Sequence, residues 1–300
     1  MAAPLLLAYA RLARPANLPT AAADIFAGVA VGGLFASSVE TGMASAAIVD
    51  ALYLVFASVF LYAGGVILND VFDYKIDKVE RPERPIPSGI VSLSAASVYG
   101  GVVLAIGVLL AFLVSTLSGI LAIALALSIL LYDGVAKKYD FFGPLSMGLC
   151  RGLNLIMGMS LLGNLQLWWL AAIPVVYIFA ITLISRGEVH GKNKNDIVLA
   201  GVLYLAVLLA VLSAAAFYTD SFLITLLYST LFAFMVFRPL VKAYSDNSPK
   251  NIKKAVIAGV MSLIILDAAI GAAFSVWWYG LAILALLPIS MALSKLFAVT

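Results

Sequence analysis

In the segment "NDVFDYKID", Asn69, Asp73 and Asp77 recur every fourth residue, with Asp70 one step around. On a helix this spacing brings four oxygen-bearing side chains toward one face. Carboxylates at i and i+4 repel, so a purely structural helix end gains nothing from them. A divalent cation reverses the sign of that energy. Mg²⁺ takes one or two carboxylates and completes its octahedron with water and phosphate oxygens, which suits an open acidic box. The alternative is a solvated loop whose acids are incidental and screened by Lys75 and Lys78. The continuation "RPERPIPSG" carries three prolines and a glycine, so the helix is expected to end before it in a rigid turning segment. Within that segment the guanidinium forks of Arg81 and Arg84 are suited to bidentate contact with phosphate oxygens.

The elements that must position this box are apolar. Of the 300 residues, 64% are hydrophobic and 11% charged, with a mean hydropathy of +1.11, values that exclude an ordinary soluble domain. Runs long enough to cross about 30 Å of hydrocarbon as helices recur near 18–36, 47–68, 93–114, 117–132, 144–162, 168–185, 196–217, 221–237, 254–274 and 278–296. The expectation is an all-α, polytopic bundle in a lipid bilayer, one domain over residues 1–300. Pro288 makes the last span the weakest. Arg11 and Arg14 follow the apolar start without a small-residue cleavage site, so the first span is expected to stay.

Every Lys and Arg except Arg151 falls in a link or end on one side of these spans, while "STLSG", "GNLQLW", "YTDS" and "SSVETGMAS" on the other side hold none. The positive-inside rule then places both termini in the cytoplasm of a bacterial or archaeal cell. Topology accounts for the basic residues without nucleic acid as a partner. A single cysteine, Cys150, excludes an intrachain disulfide and a cysteine metal cluster, and reads as a small buried residue.

The full stretch "NDVFDYKIDKVERPERPIPSG" resembles the first aspartate-rich motif, with its RxxRPIPSG continuation, of the UbiA superfamily of intramembrane prenyltransferases. "RPANLPT", at Arg14 and Pro15, resembles that family's first-helix start, and "YDGVAKKYDFFGPLSMGLCRGLN" its Tyr-x(4)-Lys segment. The resemblance implies a bundle, usually of nine spans, around a central cavity open to the cytoplasmic side and to lipid. It implies Mg²⁺-assisted ionisation of a polyprenyl diphosphate and transfer of the allylic cation to an aromatic or other lipophilic acceptor. Carried onto this chain, Asn69, Asp70, Asp73 and Asp77 hold one Mg²⁺, and Tyr132, Lys137, Lys138 and Arg151 surround the diphosphate. Arg151 lies inside an apolar span, where a guanidinium is costly unless it faces a cavity and has a partner.

Such enzymes usually carry a second motif, DxxDxxxD. The polar segment in the matching place here reads "SRGEVHGKNKND", with Ser185, Glu188 and Lys192 where the three aspartates would stand. Glu188 is the one carboxylate left for a metal. Either Lys192 and Arg186 pair with diphosphate oxygens in place of a second metal, or the chain binds a prenyl or other anionic lipid without turnover. The "SRGEVHG" form resembles the UbiA-like EboC proteins of ebo gene clusters, associated with secondary-metabolite processing or export. His190 reads as a loop residue, with metal ligation the minority role, and Asp196 as the N-cap of the next span.

Asp24 and Asp267 are carboxylates inside apolar spans and are expected to face the bundle interior. Asn17 and Asp24, seven apart, would share a face, with Asp24 as proton acceptor or acceptor-substrate contact. Asn154, at i+3 from Arg151, is placed to orient it or to touch substrate. Trp168, Trp169, Trp277 and Trp278 fall at the outer span ends, as an interfacial belt would.

Overall fold

A computed structural model describes residues 2–35 and 41–297, with side chains described from 5 to 35 and from 46 to 297. The end of the first expected span at residue 36 and part of the "SSVETGMAS" link lie outside them. The described residues are helical, without strands. A short helix α1 (Ala2–Leu12) leads through Arg14 and a turn of 3₁₀ helix into α2 (Leu18–Val31). Next come α3 (Thr41–Phe72), α4 (Tyr74–Glu80), α5 (Leu93–Val114) and α6 (Thr116–Gly134). The second half holds α7 (Phe142–Met159), α8 (Ala172–Ser185), α9 (Lys194–Tyr218) and α10 (Phe222–Ser245). The chain closes with α11 (Pro249–Ala273), α12 (Trp277–Leu284) and α13 (Leu286–Leu296).

Nine helical stretches, from Ala46–Phe72 to Trp277–Leu296, are long and apolar enough to span a bilayer among the described residues. The expected count of ten is corrected at its first member, not its last. The last is retained as α12 and α13, which meet just before Pro288. The first begins at Leu18 as expected but ends at Val31, where Gly32 and the left-handed Gly33 (φ 96°) stop the helix, leaving α2 with 14 residues.

Shortness does not make α2 peripheral. All but two of its residues are buried, against α7, α11 and α3. A helix apolar all round belongs inside a bundle. Its closest neighbour is α7: a methyl group on Gly28 would stand 2.2 Å from the Leu155 carbonyl and one on Gly158 2.5 Å from that of Ile25. Glycine at both positions lets the two backbones touch, the small-residue packing that replaces the hydrophobic effect between membrane helices. The lipid-facing side is built from helices such as α5 and α9, whose exposed large side chains are mainly Leu, Val and Phe. Trp168, Trp169, Trp277 and Trp278 are all exposed near helix starts, as expected of a belt.

Candidate active site

The acidic box straddles a break. α3 stops at Phe72 and α4 begins at Tyr74, with Asp73 between them at φ −87°, ψ 2°. This corrects the single continuous helix expected from the i, i+4, i+8 spacing. The chain of hydrogen bonds nevertheless runs on, from Asp73 N–H to the Asn69 carbonyl (2.9 Å) and from Asp77 N–H to the Asp73 carbonyl (2.8 Å). The result is a bend rather than an end. The helix ends at Arg81, where the proline-rich segment starts.

Each carboxylate of the box meets a cation. Asp70, buried, accepts from Arg14 Nη2 at 2.5 Å and from Arg84 Nη1 at 3.2 Å. The same Arg84 nitrogen reaches buried Asp77 at 2.6 Å, and Lys137 Nζ reaches Asp73 at 2.6 Å. Asn69 Nδ2 donates to Asp133 Oδ1 at 2.6 Å, and Lys137 stands 3.8 Å from that same oxygen. Four elements therefore converge: the start of α2, the α3–α4 bend, the proline-rich segment and the end of α6. Burial works against the Arg14 charge, but Asp70, Tyr62 and Asp77 together outweigh it and hold the guanidinium above its ordinary pKa. Arg14 and Asp133 are site residues that the motif reading left out. Their signals were present: a lone Arg-Pro between two apolar runs, and an acid four residues before Lys137.

From this mouth a cavity of about 390 Å³ runs into the bundle. Arg14, Asn69, Tyr132 and Asp133 line its polar end, and Leu125, Ile129, Ile181 and Val260 are among its apolar walls. Arg151, Asn154 and Ser58 line it further in. Arg151 Nη2 donates to the Thr20 carbonyl (2.9 Å), and its Nε lies 3.1 Å from Asp24 Oδ2 without being aimed along it, an ion pair rather than a hydrogen bond. Asn154 Nδ2 donates to the Ala21 carbonyl (2.9 Å) and to Asp24 (2.8 Å). Asp24 itself is wholly buried behind these two residues. Cys150 is half-buried and lines the cavity, a correction to its reading as a buried packing residue.

Other expected residues lie elsewhere. Arg81 and Lys138 are exposed and do not line the cavity. Asn17 precedes α2 as its N-cap, outside the cavity and without a side-chain capping bond, so it does not share a helix face with Asp24. In the second polar segment only Ser185 lines the cavity. Arg186 is exposed and bonds the Asp140 carbonyl. Lys192 is exposed in a left-handed conformation (φ 62°) beside a separate groove formed with Asn193 and Asn247. Neither cation is directed at the first box. Glu188 is half-buried, and burial raises its pKa against the pull of Lys253 and Arg81. His190 is exposed. Asp196 is in the first turn of α9, whose N-cap is Asn193, three residues earlier than expected.

The donor set at the mouth is all oxygen and mostly carboxylate, which is the chemistry Mg²⁺ selects. Among the described residues no three acidic, His or Cys groups stand in a ready metal-binding cluster, and Arg14, Arg84 and Lys137 pair with the carboxylates of the box. Mg²⁺ needs few protein ligands, so the residues fit it provided those ion pairs exchange.

Comparison with known proteins places this geometry. Residues 25–256 match the model of the UbiA prenyltransferase family. The digeranylgeranylglyceryl phosphate synthase of Methanococcoides burtonii is 43% identical over 111 residues, covering 37% of this chain and 40% of that protein. The corresponding synthase of Methanosarcina mazei is 36% identical over 137 residues, covering 45% and 46%. The chain thus spans less than half the length of these two relatives. A solved digeranylgeranylglyceryl phosphate synthase superposes with a TM-score of 0.67 at 19% identity, covering 90% of this chain and 99% of that one. A UbiA homologue from Archaeoglobus fulgidus bound to GPP and Mg²⁺ gives 0.67 at 13% identity, covering 93% and 99%. At these identities the superpositions speak for the fold alone. The family match extends over most of the chain, from the buried helix α2 to the start of α11: this integral membrane protein belongs to the UbiA prenyltransferase family.

Proposed function

We propose that the protein transfers a prenyl group from a polyprenyl diphosphate to a lipophilic acceptor within the membrane, with Mg²⁺ at the first acidic box. The observation that carries this reading is the mouth itself: four carboxylates, Asp133 among them, and three cations at the polar end of a cavity whose walls are apolar. Asn69, Asp70, Asp73 and Asp77 would hold Mg²⁺, which when bound supplies positive charge to the departing diphosphate. Arg14, Arg84 and Lys137 are the cations for its oxygens, each freed from a carboxylate as the metal is taken up. Such preorganised charge in a water-poor site is worth most where negative charge develops. Tyr132 stands at the rim, and Leu125, Ile129, Ile181 and Val260 shelter the isoprenoid chain from water. Residues 1–300 act as one domain, with the mouth and both termini on the cytoplasmic side.

The relatives named as digeranylgeranylglyceryl phosphate synthases support an isoprenoid donor of the geranylgeranyl class and an acceptor lipid bearing a free hydroxyl on a glycerol phosphate. Diphosphate release from labelled prenyl diphosphates by the purified protein tests the reading, with Mg²⁺ or chelator. Metal-dependent release that disappears in Asp73→Ala is expected. Release that survives in Asp73→Ala removes the box from the mechanism. Tight binding with no release by the wild type would mark a noncatalytic lipid binder instead.

A further inference from the structure

Behind the inner end of the cavity lie two acids that the mouth chemistry does not use. Asp24 on α2 and Asp267 on α11 are 0% and 1% exposed, and their carboxyl groups are within hydrogen-bonding reach of each other. Their charged neighbour is Arg151 on α7, with Nε 3.1 Å from Asp24. Asn154 on the same helix donates to Asp24. Tyr177 on α8 also faces Asp267, but its hydroxyl donates to the Gly259 carbonyl at 2.7 Å.

Charge balance decides the protonation of this group. Two carboxylates and one guanidinium would leave an unpaired negative charge deep in an apolar bundle, which membrane interiors do not tolerate. Hydrogen bonding points the same way. Asp24 Oδ1 and Asp267 Oδ2 receive no hydrogen bond from a described donor. A single proton held between two adjacent carboxyls supplies the donor and removes the excess charge together, as in other carboxyl pairs that cannot both ionise. We propose that Asp24 and Asp267 share one proton, so that with Arg151 they form a neutral positioning unit that fixes the N–H faces of Arg151 and Asn154 at the inner end of the cavity. Only its consequence for turnover rests on the prenyl-transfer reading. Asp24 and Asp267 are positioning residues here, since neither lines the cavity.

The test is infrared spectroscopy of the purified protein in lipid nanodiscs, in H₂O and D₂O at neutral pH, reading the C=O stretch of a protonated carboxyl. The wild type should show one deuterium-sensitive band. It should vanish in Asp267→Asn, and also in Asp24→Asn, because Asp267 then ionises to balance Arg151. It should persist in Asp133→Asn. Arg151→Gln, which removes the cation, should raise its intensity to about twice by protonating both acids. Absence of the band in the wild type overturns the proposal, as does loss of it in Asp133→Asn. Persistence in Asp24→Asn would show a proton belonging to Asp267 alone and would also overturn it. If Asp24→Asn fails to fold, an unchanged band in Arg151→Gln serves the same end. Turnover, read separately, should hold within about twofold in Asp267→Asn, which mimics the protonated acid, and fall on the order of 10²-fold in Asp24→Asn through misplaced Arg151. Because the band is read without substrate, failure of the prenyl-transfer reading leaves this result standing.

Discussion

Lys137 and Lys138 are neighbours with the same charge, and the motif alone gives no reason to prefer one. The fold does. The 3₁₀ turn after α6 points Lys137 at Asp73 and Asp133 and leaves Lys138 in solvent. Lys137→Gln is therefore expected to lower kcat on the order of 10²- to 10³-fold, the usual cost of removing one preorganised donor from developing charge. Lys138→Gln should change it little. Steady-state diphosphate release from both variants checks the pair, and equal losses would mean that the lysines act only through net charge. The same contrast shows what is legible at this scale. Side-chain types and helical spacing identify Asp70, Asp73, Asp77 and Arg84, because a periodic acidic run followed by Arg-Pro has few purely structural uses. Arg14 and Asp133 join them through contacts 56 and 64 residues away in sequence, which no local spacing encodes.

At the scale of elements, apolar periodicity finds the helices and misses what shortens or bends them. Gly32 and the left-handed Gly33 end the first span early, and the Asp73 break turns a straight acidic stripe into a bend. Arg14, at the mouth, also takes a left-handed backbone, which costs a residue other than glycine of order 1 to 3 kcal/mol and persists where its surroundings hold it, here the Arg14–Asp70 pair. The tight α2–α7 crossing is equally invisible in a hydropathy pattern, since Gly28 and Gly158 look like ordinary small residues. Gly28→Ala would set a methyl group 2.2 Å from the Leu155 carbonyl, a backbone atom that cannot move without its helix. A loss of about 1 to 3 kcal/mol is expected from overpacking, together with lowered turnover as Asp24 parts from Arg151 and Asn154. Gly101→Ala is the control, because nothing lies within 4 Å of the added methyl. It should be neutral or stabilising by about 0.5 to 1 kcal/mol, the ordinary helix preference for alanine. Thermal unfolding in detergent measures both, and equal Tm values would mean that α2 and α7 separate freely.

For the whole molecule, burial and charge divide the helices in two independent ways. Across the bundle, 72% of the most apolar stretch of α11 is buried against 22% for α5, so α2 and α11 form the centre and α5 faces lipid. Along the bundle axis, the cations collect at one end, where the proline-rich segment, the Lys137 turn and the α8–α9 link are found. Composition makes the second division plain, since a side chain's sign is readable without a contact map. The first is not, because α5 and α11 are both apolar and only packing tells them apart. The axial division makes a firm prediction about orientation, because excess Lys and Arg in short links are retained on the cytoplasmic side during insertion. In a Cys150→Ser background, which removes the sole native thiol, His190→Cys reports the α8–α9 link and Asn164→Cys the α7–α8 link; both native side chains are exposed. A membrane-impermeant maleimide should label His190→Cys only in inverted vesicles and Asn164→Cys only in right-side-out ones. That result puts the mouth on the cytoplasmic side, where a charged diphosphate would arrive from water. The reverse pattern would place the acidic box outside the cell and leave the cations without their topological explanation.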